Sequence, residues 1–150
     1  MSLNERLAAD LKDAMRQRDE LRRSVLRMTL AALHNAEIAA RGQPLDDAAE
    51  LAVLTKEAKQ RRESIEEFRK AGRPDRADQE EAELAILAGY LPEQAGRDEI
   101  LSAARAVIAE TGASGARDIG KVMPVLMERL RGRAEGREVS EVVRELLSQA

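Results

Sequence analysis

The octapeptide GARDIGKV, residues 115 to 122, contains residue types that hold phosphate groups in nucleotide-binding proteins. Gly115 and the pair Gly120-Lys121 have the spacing of a P-loop, in which backbone N–H groups and a lysine surround the phosphates. The motif then requires Ser or Thr, whose hydroxyl binds magnesium, but Val122 stands at that position. A P-loop also follows a buried strand, and the residues before Gly115 have a helical pattern. The sequence therefore predicts no nucleotide site.

The same residues are predicted to begin a helix over residues 117–131. Ser114 is a candidate N-cap, and the unpaired N–H groups of a first helical turn can bind an anion. Arg117 and Lys121 are four residues apart and would share one face of this helix. Two interpretations of that face remain open, namely a phosphate-binding surface and a solvated face on which Asp118 and Glu128 offset the bases.

Gly120 has a separate structural interpretation. It lies four residues before Pro124, whose ring would crowd the preceding turn of a helix. This spacing predicts a kink or a close approach of another helix at Gly120.

Other residues suited to catalysis or metal binding are few. The single histidine, His34, falls in an apolar helical pattern, and no residue in the sequence is an evident partner for a base–nucleophile pair. The absence of cysteine excludes thiol catalysis and Cys-type zinc sites. The acid-rich segment at residues 78–87 is typical of the first turns of a helix, where the macrodipole favours carboxylates. We therefore predict no catalytic residue, no metal site and no cofactor.

The composition indicates how the remaining chain folds. Of 150 residues, 35% are charged, and there is one Phe, one Tyr and no Trp. The core must then consist of Leu, Ile, Val, Met and Ala, which suit helix-on-helix packing, and no segment shows a strand pattern. We predict an all-α protein. No apolar run approaches the length of a membrane span, and the first residues do not resemble a signal peptide, so we expect a cytoplasmic location.

Capping patterns and apolar spacing predict seven helices, which begin near residues 2, 19, 47, 75, 98, 117 and 138. Ser2 with Glu5, and Asp47 with Glu50, match the capping box. In the third helix, Arg61 is assigned to a polar face rich in charged residues.

The segment YLPEQAGRDE contains Pro92 and Gly96, which mark a boundary between two groups of helices. We therefore predict two small helical bundles, an N-terminal helical domain at residues 1–92 and a C-terminal three-helix domain at residues 97–150.

Charge is distributed unevenly around a net charge of −3. Residues 117–137 carry six basic residues against three acidic ones, and residues 55–74 carry seven against four. Residues 75–110, between them, carry nine acidic residues against three basic ones. A basic segment of this kind can bind the backbone of a folded RNA, although the chain lacks interleaved aromatic residues for base stacking.

Several segments together resemble the GatB/YqeY family, in particular its free-standing YqeY-like members. They are ELRRSVLRMTLAALHNAEI, LTKEAKQRRESIEEFRKAGRPD, EEAELAILAGYLPEQ and DIGKVMPVLMERLRGRAEGREVSEVV. The last segment is similar to the C-terminal domain of GatB, a subunit of the glutamine-dependent amidotransferase that converts misacylated Glu-tRNA to Gln-tRNA. The residues that fall on the shared motif are Gly120, Lys121, Val122, Met123, Gly132, Arg133, Ala134 and Gly136. Pro124 and Glu135 depart from it.

The resemblance implies two helical bundles and a non-catalytic module that binds tRNA or a tRNA-handling enzyme. The local excess of basic residues and the resemblance together suggest five groups that face phosphates: Arg117, Lys121, Arg131, Arg133 and Arg137. Carbon–nitrogen ligase activity with glutamine as amide donor belongs to the larger enzyme, whose kinase-like and glutaminase parts have no counterpart in this chain. The alternative is a protein-interaction adaptor, in which the third helix and the acidic fourth helix bind a partner protein.

Overall fold

The computed structural model describes residues 1–149, and these residues form α-helices with one 3₁₀ turn and no strand. The all-α prediction is confirmed. Residue 150, the last of the predicted C-terminal domain, lies outside the described residues. The helices are α1 (Leu3–Arg16), α2 (Glu20–Ala39), α3 (Asp47–Lys70), α4 (Pro74–Ala88), α5 (Arg97–Thr111), α6 (Ile119–Arg129) and α7 (Gly136–Ser148).

The chain divides into two compact units, Met1–Leu91 and a second that begins at Pro92. The first unit packs α1 to α4 around leucines that are fully buried, because the apolar stripes of these helices face one another. The large members of this core are Leu7, Leu26, Leu33, Leu54 and Leu87.

The capping box predicted for Ser2 and Glu5 at the start of α1 is confirmed. The one predicted for Asp47 and Glu50 at the start of α3 is wrong. The Ser2 hydroxyl accepts the Glu5 N–H, and the Glu5 carboxylate accepts the Ser2 N–H, both at 3.1 Å. Helix α3 is instead capped by Asp46, whose carboxylate accepts the Ala49 N–H at 2.8 Å. Glu50 is therefore free for a different role.

Glu50 is buried and belongs to the start of another helix. Its carboxylate accepts the backbone N–H of Asn4 at 3.1 Å, although the two residues are 46 positions apart in sequence. This N–H lies in the first turn of α1, where no intrahelical acceptor exists and the macrodipole favours negative charge. Glu50 thus joins α3 to the N-terminus of α1.

We expect Glu50→Ala to lower the free energy of unfolding by about 1–3 kcal/mol, because it removes a buried, charged acceptor from a partly buried N–H group. Urea denaturation followed by circular dichroism measures this loss. Glu63→Ala removes an exposed carboxylate from the same helix and is expected to cost less than about 0.5 kcal/mol. Equal effects of the two substitutions would contradict this role of Glu50.

Candidate nucleic-acid interface

Helices α5, α6 and α7 build the second unit and position the basic segment on its surface. Val122 and Leu126 of α6 are fully buried against Val139 and Val143 of α7. The P-loop motif has a hydroxyl at the position of Val122. In this chain that position of α6 faces the core, and an apolar side chain fills it. The side chains next to Val122 on the outer side of α6 remain available to solvent.

The start of α6 differs from the sequence prediction. Residues Ala116–Asp118 form a 3₁₀ turn, and the α-helix begins only at Ile119. Ser114 is not the N-cap: its backbone N–H donates to the Asp118 carboxylate at 2.8 Å, and Asp118 takes the N-cap position. Gly115, with φ of 83°, permits the tight turn between them.

The Asp118 carboxylate thus lies at the helix start that we had considered for an external anion. The hydrogen bond from Ser114 lowers the pKa of Asp118, and the charges of Lys121 and Arg117 lower it further. The Lys121 ammonium lies 3.4 Å from the carboxylate. A phosphate at this helix end would meet a carboxylate already in place, so the basic side chains, rather than the helix N-terminus, are the candidate anion contacts.

The lowered pKa of Asp118 gives a pH dependence of stability. A carboxyl whose pKa is lower in the folded state stabilises the fold above its unfolded pKa of about 3.9, and this contribution is lost as the pH falls through the folded value. We expect Asp118→Asn to melt at a lower temperature than wild type at pH 7. The difference is expected to shrink as pH falls below about 4. Thermal melts between pH 7 and 2 measure it, and a difference that stays constant would contradict the assignment.

The five predicted RNA-binding residues form two groups rather than one cluster. Arg117 and Lys121 lie at the beginning of α6. Arg131, Arg133 and Arg137 lie in and just after the turn that joins α6 to α7. Ten residues of mostly helical chain separate Lys121 from Arg131, which corresponds to about 15 Å.

Three of these exposed cations form ion pairs with neighbouring carboxylates. Lys121 pairs with Asp118 at 3.4 Å, Arg131 with Glu128 at 2.6 Å and Arg137 with Glu141 at 3.8 Å. The three basic side chains are 64%, 52% and 75% exposed. Ion pairs of exposed side chains, such as those of Arg131 and Arg137, contribute little to stability, so their cations can exchange a carboxylate for a phosphate at small cost.

Arg133 has a structural role that its neighbours lack. Its guanidinium donates to both Glu99 carboxylate oxygens at 2.8 Å, and its Nε donates to the Glu93 carbonyl at 2.9 Å. Its backbone carbonyl accepts the Ala95 N–H at 2.7 Å, and the Gln94 amide donates to the Gly132 carbonyl at 2.9 Å. Arg133 therefore holds the segment before α5 against the turn between α6 and α7.

The local structure also explains why other residues of the shared motif suit their positions. Gly132 has a φ of 72°, which only glycine adopts without strain, and Ala134 is buried in the core. Met123 packs beside that core and Gly136 begins α7. Of the kink or close approach predicted at Gly120, the close approach is wrong, because a Cβ there would meet no atom of another element within 4 Å.

Pro124 lies inside α6 and has no N–H to donate to the Gly120 carbonyl four residues earlier. The helix therefore lacks one backbone hydrogen bond at this point.

A buried ion cluster in the first unit was missed by the sequence analysis. Arg61, assigned to a polar face, is only 7% exposed. Its Nη1 lies 2.5 Å from the Glu83 carboxylate and 3.3 Å from that of Glu80, so it joins α3 to α4. The signal was present in the sequence, since Arg61 continues the apolar spacing set by Leu54 and Ala58. A basic residue within an apolar stripe predicts a buried ion pair.

The described residues contain no group of three or more His, Cys, Asp or Glu side chains that could hold a metal ion. His34 is exposed on α2 rather than packed in an apolar environment. Within residues 1–149, every helix is too short or too polar to cross a bilayer.

The structure defines a small all-α protein with two helical units. Its candidate functional feature is the set of exposed cations on the surface of the three-helix unit. The chain belongs to the YqeY-like protein family, whose model matches residues 4–147. This family is related to the C-terminal domain of GatB, so the resemblance found in the sequence is confirmed.

Curated relatives of the chain carry the name altered inheritance of mitochondria protein 41, mitochondrial. The protein from Pyrenophora tritici-repentis is 36% identical over 145 residues, which cover 95% of this chain and 79% of the relative. The protein from Lachancea thermotolerans is 42% identical over 85 residues, which cover 57% of this chain and 46% of the relative. The matched part is therefore less than half of the Lachancea protein.

Proposed function

We propose that this YqeY-like protein is a non-catalytic helical module that binds tRNA, or a tRNA-bearing enzyme, through the exposed cations of its C-terminal unit. The observation that carries the proposal is the basic character of residues 117–137, which contain six basic and three acidic residues. The similarity of this segment to the tail of GatB, which helps to hold tRNA, supports RNA as the polyanion.

The contacts of the cations support phosphate binding over a purely structural role. Arg117 is exposed and acts on Asp118 only through its charge. Arg131 and Arg137 have exposed carboxylate partners that a phosphate can replace, and the exposed Lys121 ammonium can turn from Asp118 to a phosphate. Arg133 differs from them, since its three side-chain hydrogen bonds, to Glu93 and Glu99, position the turn that carries its neighbours.

The type of contact follows from the residues available. The chain has one Phe and one Tyr, Phe68 and Tyr90, and both lie in the first unit. The C-terminal unit therefore has no aromatic side chain on which an unpaired base can stack. We infer contacts to the sugar–phosphate backbone of a folded RNA, with two phosphate-binding points about 15 Å apart along α6.

The proposed tRNA-binding function does not depend on the cellular compartment of the protein. The names of the relatives place those proteins in mitochondria, whereas the sequence of this chain predicts a cytoplasmic location. A tRNA-binding role is compatible with both compartments, because tRNA is aminoacylated in each.

A pull-down from cell extract tests the proposal. We expect the tagged protein to enrich tRNA, and the enrichment to disappear after nuclease treatment and to be reduced in Lys121→Glu. Recovery of a protein partner that survives nuclease and is unchanged in Lys121→Glu would contradict the RNA role and favour the adaptor alternative.

A further inference from the structure

The buried guanidinium of Arg61 has strong hydrogen-bond acceptors at only one of its nitrogens. Nη1 is paired with the carboxylates of Glu80 and Glu83. Nη2 contacts only the Met28 sulfur, at 3.9 Å, and the buried Nε has no acceptor within the described residues. A thioether sulfur is a weak acceptor, and a buried N–H group without a good acceptor costs free energy. One edge of this buried cation therefore lacks a strong acceptor.

The Met28 side chain connects this edge of Arg61 to the solvent. Met28 is 55% exposed, whereas Arg61 is only 7% exposed. Met28 lines an open groove of about 630 Å³ between α2 and α4, and it also lines a smaller groove of about 170 Å³ together with Arg61. A small solute can therefore reach Met28, while the guanidinium that contacts its sulfur stays out of the solvent.

We propose that Met28 is a site of reversible oxidation, at which a peroxide converts the thioether to a sulfoxide and Arg61 binds the new oxygen. A lone pair of the sulfur attacks one oxygen of the peroxide, and the O–O bond breaks. The attacked oxygen stays on the sulfur, which loses two electrons, and its proton passes to the departing oxygen, which leaves as water or an alcohol. Methionine sulfoxide reductases catalyse the return to the thioether.

The sulfoxide oxygen supplies the acceptor that Arg61 lacks. Rotation about the flexible bonds of the methionine side chain brings an oxygen on the sulfur within hydrogen-bonding distance of Nη2. The Nε–H and one Nη2–H lie on the same edge of the planar guanidinium, so one oxygen can accept from both. Sulfoxide formation usually disrupts the packing around a methionine, because it makes an apolar side chain polar. At Met28 it is expected to join α2 more firmly to α3.

Nuclear magnetic resonance of the Arg61 side chain tests the contact. The full chain is treated with dilute hydrogen peroxide, and mass spectrometry of its peptides identifies the product with an oxygen at Met28. We expect the Arg61 Nε–H signal of this product to shift and to exchange with solvent at least about tenfold more slowly. Sulfoxide reductase is expected to restore the original signal, and treated Met28→Leu is expected to keep it throughout. An Arg61 signal that an oxygen at Met28 leaves unchanged would overturn the proposal.

Thermal melts distinguish a stabilising contact from oxidative damage at other methionines. We expect the change in melting temperature on peroxide treatment to be more positive in wild type than in Met28→Leu by at least about 2 °C, because only wild type gains a hydrogen bond to a charged group. Met15 is 48% exposed on α1, and Met15→Leu is expected to respond as wild type does. Equal changes in wild type and Met28→Leu would contradict the proposal. The contact lies in the first unit, so these outcomes are independent of phosphate binding by the C-terminal cations.

Discussion

Arg61→Ala is expected to lower the free energy of unfolding by about 3–5 kcal/mol, the loss typical of removing one partner from a buried ion pair. The substitution leaves the carboxylates of Glu80 and Glu83 beside each other, with side chains that are 25% and 13% exposed. It also removes the contact between Arg61 Nη2 and the Met28 sulfur at 3.9 Å. Urea denaturation, followed by circular dichroism, measures the change.

Two further variants separate the buried charge from a general effect of truncating α3. Lys59→Ala shortens an exposed cation in the same helix and is expected to cost less than about 0.5 kcal/mol. Arg61→Met with Glu80→Gln and Glu83→Gln removes the cluster as a whole and is expected to recover much of the loss. The buried Nε of Arg61 has no hydrogen-bond acceptor in the described residues, which makes replacement by an apolar side chain less costly. A loss below about 1 kcal/mol for Arg61→Ala would contradict the importance of this pair.

Reversing four exposed cations of the C-terminal unit is expected to weaken tRNA binding by at least about a hundredfold at low salt, because each phosphate contact releases counterions. The four changes are Arg117→Glu, Lys121→Glu, Arg131→Glu and Arg137→Glu. The slope of log affinity against log salt concentration is expected to become shallower by about 3–4. Fluorescence anisotropy with labelled tRNA measures both quantities.

A matched control distinguishes a defined surface from overall charge. Arg105→Glu with Arg144→Glu changes two exposed cations of the same unit that lie outside the proposed surface. We expect this pair to weaken binding less than Arg117→Glu with Lys121→Glu, which alters the net charge by the same amount. Equal losses in the two double variants would indicate that tRNA responds to net charge alone and would contradict the assigned residues.

The fold could be predicted from the sequence because its signals are local. Apolar residues recur at helical spacing, and capping or breaking residues such as Ser2 and Gly112 stand at the helix ends. The capping box at Ser2 is a contact between residues three positions apart, so a short window of sequence contains all of it. The all-α prediction needed little more than these patterns.

The contacts that the sequence analysis missed join residues far apart in the chain. Glu50 accepts an N–H from Asn4, and Arg61 reaches Glu83. The local pattern of Asp47 and Glu50 predicted that Glu50 caps its own helix, α3. The carboxylate instead accepts an N–H group in the first turn of α1, which is distant in sequence. Within the C-terminal unit, the error at Ser114 arose because Asp118 competes for the same role and forms the N-cap.

The candidate site was predicted only in part for the same reason. Residue type and segment charge identified the exposed cations Arg117, Lys121, Arg131 and Arg137, but they could not show that the length of α6 separates two groups. Arg133 has the same charge as its neighbours, and its bidentate contact with Glu99 depends on the packing of α5 beside the turn between α6 and α7.

The most direct test of the proposed function is a titration of labelled total tRNA with the wild-type chain at 50 and 200 mM salt. Four phosphate contacts predict measurable binding at the lower concentration and an affinity about a hundredfold weaker at the higher one. Absence of binding at 50 mM salt, or an affinity that does not change between the two concentrations, would contradict a function based on phosphate recognition.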